Sequence, residues 1–379
     1  MQKLRAWWSH RQGLDGSLAG KSAADVLESA GWVRGLGGVA PYLALFARAG
    51  ISREDADAAA AKLQIHELPA ARGCTYIVPA KDFALALQAG APFEAAEMRT
   101  AAKLGVTEKE IAKLCEAVIK ALEKEPLDPE GIREATGKAS RSLGEEGKKK
   151  GVTTTLPLAL GMLQASGDIR RVAINGRFDQ QRYRYALWRP NPIGKLKMAA
   201  EQINTELARR FFTWAGPATV AEFQTFSTLN GKAARTAMEP LKLAAVEGDR
   251  FLMPQHRDEF ESFKAPRQPQ YVLASIIDGL HLFRGDVQQL LEQGDFDGKE
   301  LTSHPIYDRG RVAGLWEFDM DRNEIAWCSF AGKNKDLEKA VAKTEEFTRA
   351  QLGDARGYAL DSIKSRAPRI AAIRKARSS

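Results

Sequence analysis

The stretch AAEQINTELARRFFTWAGPATVAEFQTFSTLNGKAARTAMEPLKLAAVEGDRFLMP, residues 199–254, carries the clearest folding pattern in this chain. Apolar residues recur at helical spacing up to Gly216-Pro217, and Asn230-Gly231 separates a second helical run from a third. The third run leads into two short strands that turn at Gly248-Asp249. Two helices, a turn, a third helix and a two-stranded wing follow the order of a winged helix, a form of helix-turn-helix.

The same order recurs with variation between about residues 107 and 190. An amphipathic helix is predicted to begin after Thr107, a suitable N-cap, and two shorter helical runs follow it. Asn175-Gly176 is the strongest kind of two-residue hairpin signal. We therefore expect a tight turn there, between the two strands of a long, basic wing.

A third and more degenerate copy occupies the N-terminal portion. Its final segment, IHELPAARGCTYIVP at residues 65–79, predicts a pair of strands. The helical runs before it are AADVLESAGWV (23–33), VAPYLALFARAG (39–50) and ISREDADAAAAKLQ (51–64). Three related copies in one chain predict a tandem array.

The pattern changes beyond Pro254. Residues 271–283 and 305–330 are rich in β-branched and aromatic residues, which favour strands, and turn sequences interrupt them. The chain then becomes helical from about Lys335 to Lys375, and residues 263–270 (FKAPRQPQ) have the composition of a linker.

The predicted fold class is therefore α+β and mainly helical. It consists of three tandem winged-helix modules, a small antiparallel β-sheet or barrel, and a C-terminal helical segment. The predicted modules cover residues 1–100, 101–192 and 193–262, the sheet residues 271–333, and the C-terminal helices with their basic tail residues 334–379.

Composition narrows the class of protein. The chain has 379 residues, a formal net charge of +8 and a sequence pI near 9.3, which favours an anionic partner such as nucleic acid. The N-terminus has no apolar stretch typical of a signal peptide, and no run of about 18 apolar residues predicts a membrane span. The three cysteines are far apart and have no metal-ligand spacing. We expect a monomeric, cytoplasmic, nucleoid-associated protein without metal or cofactor.

Basic residues in the repeated units are the predicted contacts to double-stranded DNA. Lys232 and Arg235 lie near the start of a third helix, which normally enters the major groove. Three consecutive lysines in GEEGKKKG (144–151), a predicted solvated loop rather than a phosphate loop, are suited to nonspecific phosphate contacts. The complete predicted set is Arg11, Arg72, Lys148, Lys149, Lys150, Arg177, Arg182, Arg184, Lys232 and Arg235.

Polar residues near the first helix are the candidate catalytic groups. His10 is a possible general base, Gln12 a group that orients water, and Asp15 a further polar partner. Asp15 is separated from His10 by a glycine, so sequence spacing gives His10 no obvious carboxylate partner. The alternative is structural, because a histidine at a helix end stabilises the helix dipole.

Other aromatic and acidic residues have two interpretations. Trp7, Trp8 and Trp32 could stack on an extruded base, although aromatic residues at helical spacing more often belong to a core. Similarly, Asp278, Asp319 and Asp321 suggest either an acidic cluster or ordinary strand-end and turn positions. No Ser-His-Asp or Cys-His arrangement has a credible spacing.

Four segments resemble the winged-helix DNA-binding family that includes the AlkZ-like bacterial DNA glycosylases. These segments are Gln12-Gly13-Leu14, APYLALFARAG (40–50), GCTYIVPAKDFALAL (73–87), and SIIDGLHLFR (275–284) followed by DRGRVAGLWEFD (308–319). The resemblance implies excision of alkylated bases, and three tandem winged helices curved around a DNA channel with a small β-barrel.

One departure from that family concerns its reaction centre. Active members have a Gln-apolar-Gln or Gln-apolar-Asp triplet shortly before the Pro-Tyr segment, and the resemblance implies that it positions the attacking water. Here the corresponding residues are Ala30-Gly31-Trp32 or, with a shorter spacing, Arg34-Gly35-Leu36. Neither segment contains a glutamine or carboxylate pair, so the resemblance assigns no catalytic residue.

Three functions remain, in order of preference. The first is a DNA-binding damage sensor or regulator that has the family scaffold without its usual reaction centre. The second is an active DNA glycosylase whose centre has moved to His10, Gln12 and Asp15. The third is a protein-interaction scaffold, because a fold alone does not fix a function.

Overall fold

The computed structural model describes residues 1–194, 196–295, 298 and 300–378, and it has a mixed fold in which helices predominate. The α-helices within this part of the chain are α1 (Gln2–Arg11), α2 (Ala23–Ala30), α3 (Ala40–Ala49), α4 (Arg53–Ala61), α5 (Phe83–Ala102), α6 (Glu108–Leu122), α7 (Pro129–Thr136), α8 (Gly144–Lys149), α9 (Leu156–Ala165), α10 (Ala200–Ala215), α11 (Val220–Ser227), α12 (Gly231–Met238), α13 (Arg257–Ser262), α14 (Gly279–Leu282), α15 (Lys335–Phe347) and α16 (Ile363–Ser378). None of the described helices is long and apolar enough to cross a bilayer.

The strands form small antiparallel sheets. They are β1 (Val33–Arg34), β2 (Ile65–Pro69), β3 (Thr75–Pro79), β4 (Ile169–Ala173), β5 (Tyr183–Leu187), β6 (Ala244–Ala245), β7 (Phe251–Leu252), β8 (Tyr271–Leu273), β9 (His304–Asp308), β10 (Arg311–Asp319) and β11 (Glu324–Ser329). A three-stranded sheet has the order β1-β3-β2, and a four-stranded sheet has the order β11-β10-β9-β8. The remaining described strands form two hairpins, β4-β5 and β6-β7. The predicted small antiparallel sheet is therefore present.

Side-chain caps decide where several helices begin. Thr107 accepts a hydrogen bond from the Glu110 amide at the start of α6, as its sequence position predicts. Thr219 and Glu222 form a reciprocal capping box on α11, and Asn230 caps α12. These caps fix the turn between α11 and α12, because each satisfies backbone N–H groups that the first helical turn leaves free.

Two predicted elements differ from the structure. The strand expected over residues 271–283 ends at Leu273, since Asp278 accepts a hydrogen bond from the Leu280 amide and starts α14 instead. A turn does form at Asn175, where the Gly176 N–H donates to the backbone oxygen of Ala173, but the expected two-residue hairpin is wrong, because β4 and β5 are joined by residues 174–182. That connection is long because Phe178 is buried and its backbone N–H donates to the hydroxyl of Tyr42.

The glycine- and lysine-rich segment 144–151 also differs from the predicted loop. It contains the short helix α8, where Glu145 and Lys148 form an ion pair of 2.7 Å one turn apart. This i,i+3 pairing is typical of exposed helix surfaces and explains why a highly charged segment becomes helical.

Tryptophans that sequence analysis left between two interpretations belong to the core. Trp7 and Trp8 are fully buried, and their indole N–H groups donate to the backbone oxygens of Gly216 and Pro217. Trp32 is buried as well and donates to Asp82 at 2.8 Å. These hydrogen bonds attach α1 to the end of α10 and satisfy the polar atoms that burial would otherwise leave unpaired.

A buried ion pair connects segments that are far apart in sequence. Arg48 of α3 donates to both carboxylate oxygens of Asp278, at 2.8 and 3.0 Å. Gln12 accepts from Arg48 at 3.2 Å and donates to the backbone oxygen of Trp214 at 3.0 Å. Burial alone would raise the pKa of Asp278, but the charge and hydrogen bonds of Arg48 bring it below its ordinary value. We call Gln12, Arg48 and Asp278 the Arg48 network.

Replacing Asp278 with alanine is expected to lower the free energy of unfolding by about 3–5 kcal/mol, because Arg48 would be left as an unpaired buried charge. Urea unfolding followed by far-UV circular dichroism measures this loss. The matched control is Asp321→Asn in an exposed turn, which should change stability by less than about 0.5 kcal/mol. Equal effects of the two substitutions would contradict the role of the network.

Candidate nucleic-acid interface

The edge strand β1 places Arg34 beside the middle strand of the first sheet. Arg34 pairs with Tyr76 across the β1-β3 ladder, so the two side chains share one face of the sheet. The Arg34 guanidinium lies 3.0 Å from the sulfur of Cys74, and its Nε is buried without a hydrogen-bond partner. Arg34 is one of the residues at the family's triplet position, and it is half-buried.

A narrow slot lies in front of Arg34. It is lined by Trp32, Arg34, Arg72, Tyr76, Phe226, Ile277, Gly279, Leu282 and Phe283. Its volume of about 10 Å³ is no more than a single water molecule requires, so the slot as it stands cannot hold a nucleobase. Arg34 and Arg72 have no carboxylate within ion-pair distance among the residues that the structure describes. Two uncompensated cations therefore border a mainly aromatic slot.

Seven of the predicted DNA contacts are exposed and have no acidic partner in the described part of the chain. They are Arg72, Lys149, Lys150, Arg182, Arg184, Lys232 and Arg235. Lys232 and Arg235 lie on α12, and Arg184 lies on the wing strand β5. Exposed cations without partners are available to phosphates, because no internal ion pair has to be broken first.

The other three predicted contacts already interact within the protein. Arg11 donates to the backbone oxygen of Thr213 and contacts His256. Arg177 forms an ion pair of 2.5 Å with Asp179, at the connection between β4 and β5. Lys148 pairs with Glu145, as described above. Asp179 and Glu145 lie within three residues of their partners, so the sequence could have indicated both pairs, whereas only folding brings Thr213 and His256 to Arg11.

His10 has a carboxylate partner, contrary to the expectation from sequence spacing. Its Nδ1 lies 2.6 Å from the Asp15 carboxylate, and its Nε2 lies 3.4 Å from Glu259. The chain can turn back after α1 because Gly13 adopts a positive φ of 66°. The hydrogen bond to Asp15 raises the pKa of His10 above its ordinary value.

The three candidate catalytic residues do not converge on one open site. Gln12 is buried, and both ends of its amide are used, by Arg48 and by the Trp214 backbone. His10 and Asp15 instead form a partly exposed pair at the end of α1. Because Gln12 is buried and both its amide nitrogen and its amide oxygen are bonded within the protein, it is not placed to orient an attacking water.

Two of the three candidate acids form ion pairs within the protein. Asp278 pairs with Arg48, and Asp319 pairs with Arg374 at 2.7 Å. Asp321 lies in an exposed turn, so the turn and strand-end interpretation holds. Within the described residues, no group of three or more potential ligands could hold a metal ion.

Sequence analysis also overlooked a buried acid, Glu67 in β2. Both oxygens of its carboxylate accept from the hydroxyl of Tyr183 on β5, at 2.8 and 2.7 Å. The available signal was the polar pair His66-Glu67 inside the predicted strand IHELP, since a charged residue in such a strand is unusual unless it has a partner or a function.

The His10–Asp15 pair makes a testable prediction. The pKa of His10 should lie above about 6.5 and should fall towards that value in Asp15→Asn. Proton-linked stabilisation by His10 is then fully present below about pH 6.5 and is lost as the pH rises through the raised pKa. NMR titration of the imidazole measures this pKa, with Glu259→Gln as the control that should shift it less, since that carboxylate is farther away. An unchanged titration in Asp15→Asn would contradict the assignment.

Comparison with known proteins agrees with this architecture. A sequence profile of the family described as "DNA glycosylase AlkZ-like" matches residues 37–347. The solved structure of the Streptomyces sahachiroi DNA glycosylase AlkZ superposes with a TM-score of 0.70 at 19% sequence identity, covering 94% of this chain and 98% of that one. No curated protein matches the chain. At 19% identity, the structural likeness shows a shared fold. The profile match begins at Gly37, immediately after the segment Arg34-Gly35-Leu36 that corresponds to the family's triplet.

Proposed function

The chain belongs to the AlkZ-like family of DNA glycosylases, and we propose that it binds double-stranded DNA as a damage-recognition protein without the family's usual hydrolytic centre. The observation that carries this proposal is a set of exposed arginines and lysines without acidic partners on a scaffold that AlkZ shares. Cations of this kind release counterions from DNA when they contact its phosphates.

The element order supports three winged-helix modules as the scaffold for this binding. In the third module, α10, α11 and α12 precede the short wing β6-β7, and Lys232 lies in the first turn of α12. The second module contains α6, α7, α9 and the wing β4-β5 with Arg184, and the first contains α2, α3, α4 and the pair β2-β3. In such modules the third helix enters the major groove and the wing contacts the backbone.

Arg34 makes the chemistry of the proposed site differ from that of the family's triplet. The family's triplet offers an amide or carboxylate that positions water, whereas a guanidinium carries only donors and stays protonated. Arg34 and Arg72 are therefore suited to hold a phosphate next to a lesion and unsuited to accept a proton from water. Binding would have to widen the slot, whose present volume excludes a base.

DNA affinity should fall steeply with salt, and Lys232→Ala should reduce the slope of log K against log[salt] by about 1, because one phosphate contact is lost. Fluorescence anisotropy with a labelled duplex at two or more salt concentrations measures the slope. Lys339→Ala, an exposed lysine of α15 that pairs with Asp336, is the matched control and should leave the slope unchanged. If the protein does not bind duplex near 50 mM salt, the proposed DNA binding is contradicted.

The wild-type protein should also leave methylated duplex intact. Duplex containing N7-methylguanine, incubated for hours with protein in excess and then treated with alkali, should show no strand breaks above the protein-free control. The double variant Arg34→Gln with Leu36→Gln supplies glutamines at both outer positions of the triplet and is the matched comparison. Excision by this variant alone would attribute the inactivity to the missing pair, whereas excision by the wild type would contradict the proposal.

The alternative function is an active glycosylase with a relocated centre. The partly exposed His10–Asp15 pair favours it, because a histidine held by a carboxylate resembles a general base with its orienting group. If the wild type does excise methylated bases, loss of excision in His10→Ala would assign the reaction to this pair.

A further inference from the structure

A second cavity lies at the β2 edge of the first sheet. Its volume is about 250 Å³, and it separates α4 and β2 from the hairpin β4-β5. Its polar lining consists of Glu67, Arg170, Arg171 and Tyr183 together with Asp57 and His66, and Phe178 also lines it. Asp57 is already paired with Arg53 at 2.7 Å and accepts from the Tyr42 hydroxyl, and burial lowers the pKa of His66 to about 3, so the imidazole is neutral at neutral pH. The cavity is distinct from the Arg34 slot, because the two share no lining residue and the strands that carry Arg34 and Glu67 are opposite edges of the sheet.

Glu67 is a buried carboxylate without a cationic partner. Only 5% of its surface is exposed, and no lysine, arginine or histidine of the described chain lies within ion-pair distance of it. A Cβ atom at Gly35 would lie 3.3 Å from Oε1 of Glu67, so a glycine at this position avoids a close contact with the carboxylate. Burial raises the pKa of Glu67, and the charge of Arg171 and the Tyr183 hydroxyl oppose that rise.

Two arginines in the same cavity also lack acidic partners. Arg171 lies over the ring of Tyr183, 5.2 Å from its centroid, and its Nε is buried without a hydrogen bond. Arg170 is half-buried, and burial lowers its pKa. Charges of both signs that share one cavity without forming a direct ion pair cost stability, and they are more typical of binding sites than of structural ion pairs.

The charges restrict the chemistry of an occupant. Glu67 would repel an anion, and the two arginines would repel a cation, so the ligand is neutral and offers N–H donors to the carboxylate and acceptors to the guanidinium groups. A guanine base meets this requirement, since N1–H and the N2 amine form two parallel donors while O6 and N7 are acceptors that arginine recognises. A volume near 250 Å³ suits a single base, because sites for drug-sized ligands are about 300–1,000 Å³.

We propose that this cavity binds a guanine base, with Glu67 accepting from its N1–H and N2 amine and Arg171 donating to its other edge. The base comes either from a free nucleoside or from a strand in which it has been turned out of the stack. The site does not depend on the proposed function, because a free nucleoside can occupy it without DNA.

Isothermal titration calorimetry with the full chain tests the assignment without any variant. Guanosine should bind about tenfold more tightly than inosine, which lacks the N2 amine, and adenosine should bind more weakly still. Glu67→Gln, which replaces one acceptor by a donor, should weaken guanosine binding by at least about tenfold. Glu110→Gln removes the same charge from a half-buried glutamate of α6 and should leave the affinity unchanged.

A second probe distinguishes the two sources of the base. A single-stranded oligothymidylate with one central guanine is titrated into the wild type and into Glu67→Gln. If guanosine binds in a Glu67-dependent way, the ligand is a free nucleoside. If only the oligonucleotide binds in a Glu67-dependent way, the ligand is a base within a strand. Both outcomes support guanine binding in this cavity. Equal affinities for guanosine and adenosine, or no Glu67-dependent binding of either probe, would overturn it.

Discussion

The buried ion pair between Arg48 and Asp278 is the constraint on which the rest of the molecule depends. Through Gln12, it joins the turn after the first helix, the helix α3 and the segment that begins α14, and it reaches the backbone at Trp214. Arg284 adds to the same junction by donating to the backbone of Ala215 and by lying 4.2 Å from the Trp8 ring. Because the pair is buried, its stability depends on well-oriented hydrogen bonds between the guanidinium and the carboxylate. The pair therefore fixes how these distant segments pack against one another.

That junction positions the strand that carries Arg34, and the C-terminal segment holds the loop after it. The backbone N–H of Val39 donates to Arg356, and that of Ala359 donates to Leu36. A Cβ at Gly38 would approach the backbone of Gly357 to 2.4 Å, so only glycine allows the two segments to lie so close. The loop after Arg34 is therefore held by contacts between distant parts of the sequence.

Local patterns predicted most of the helices and the existence of the small sheets, because caps such as Thr107 and Asn230 and the apolar periodicity act over a few residues. They did not predict α8 or α14. Long-range contacts decided the rest. Phe178 lengthens the wing connection by docking on Tyr42, and the Arg48 network turns a predicted strand into α14. For the candidate site, the exposed cations follow from sequence, whereas the His10–Asp15 pair and the buried Glu67 depend on a glycine turn and on a neighbouring hairpin.

The proposed function requires that bound duplex contacts the α12 helix, the β4-β5 wing and the Arg34 slot. Hydrogen–deuterium exchange of the full chain, with and without excess duplex near 50 mM salt, tests it most directly. The account predicts slower exchange in residues 71–76, 169–187 and 231–238 when DNA is present, and unchanged exchange in α15. Protection confined to other segments, or none in these three, would contradict it.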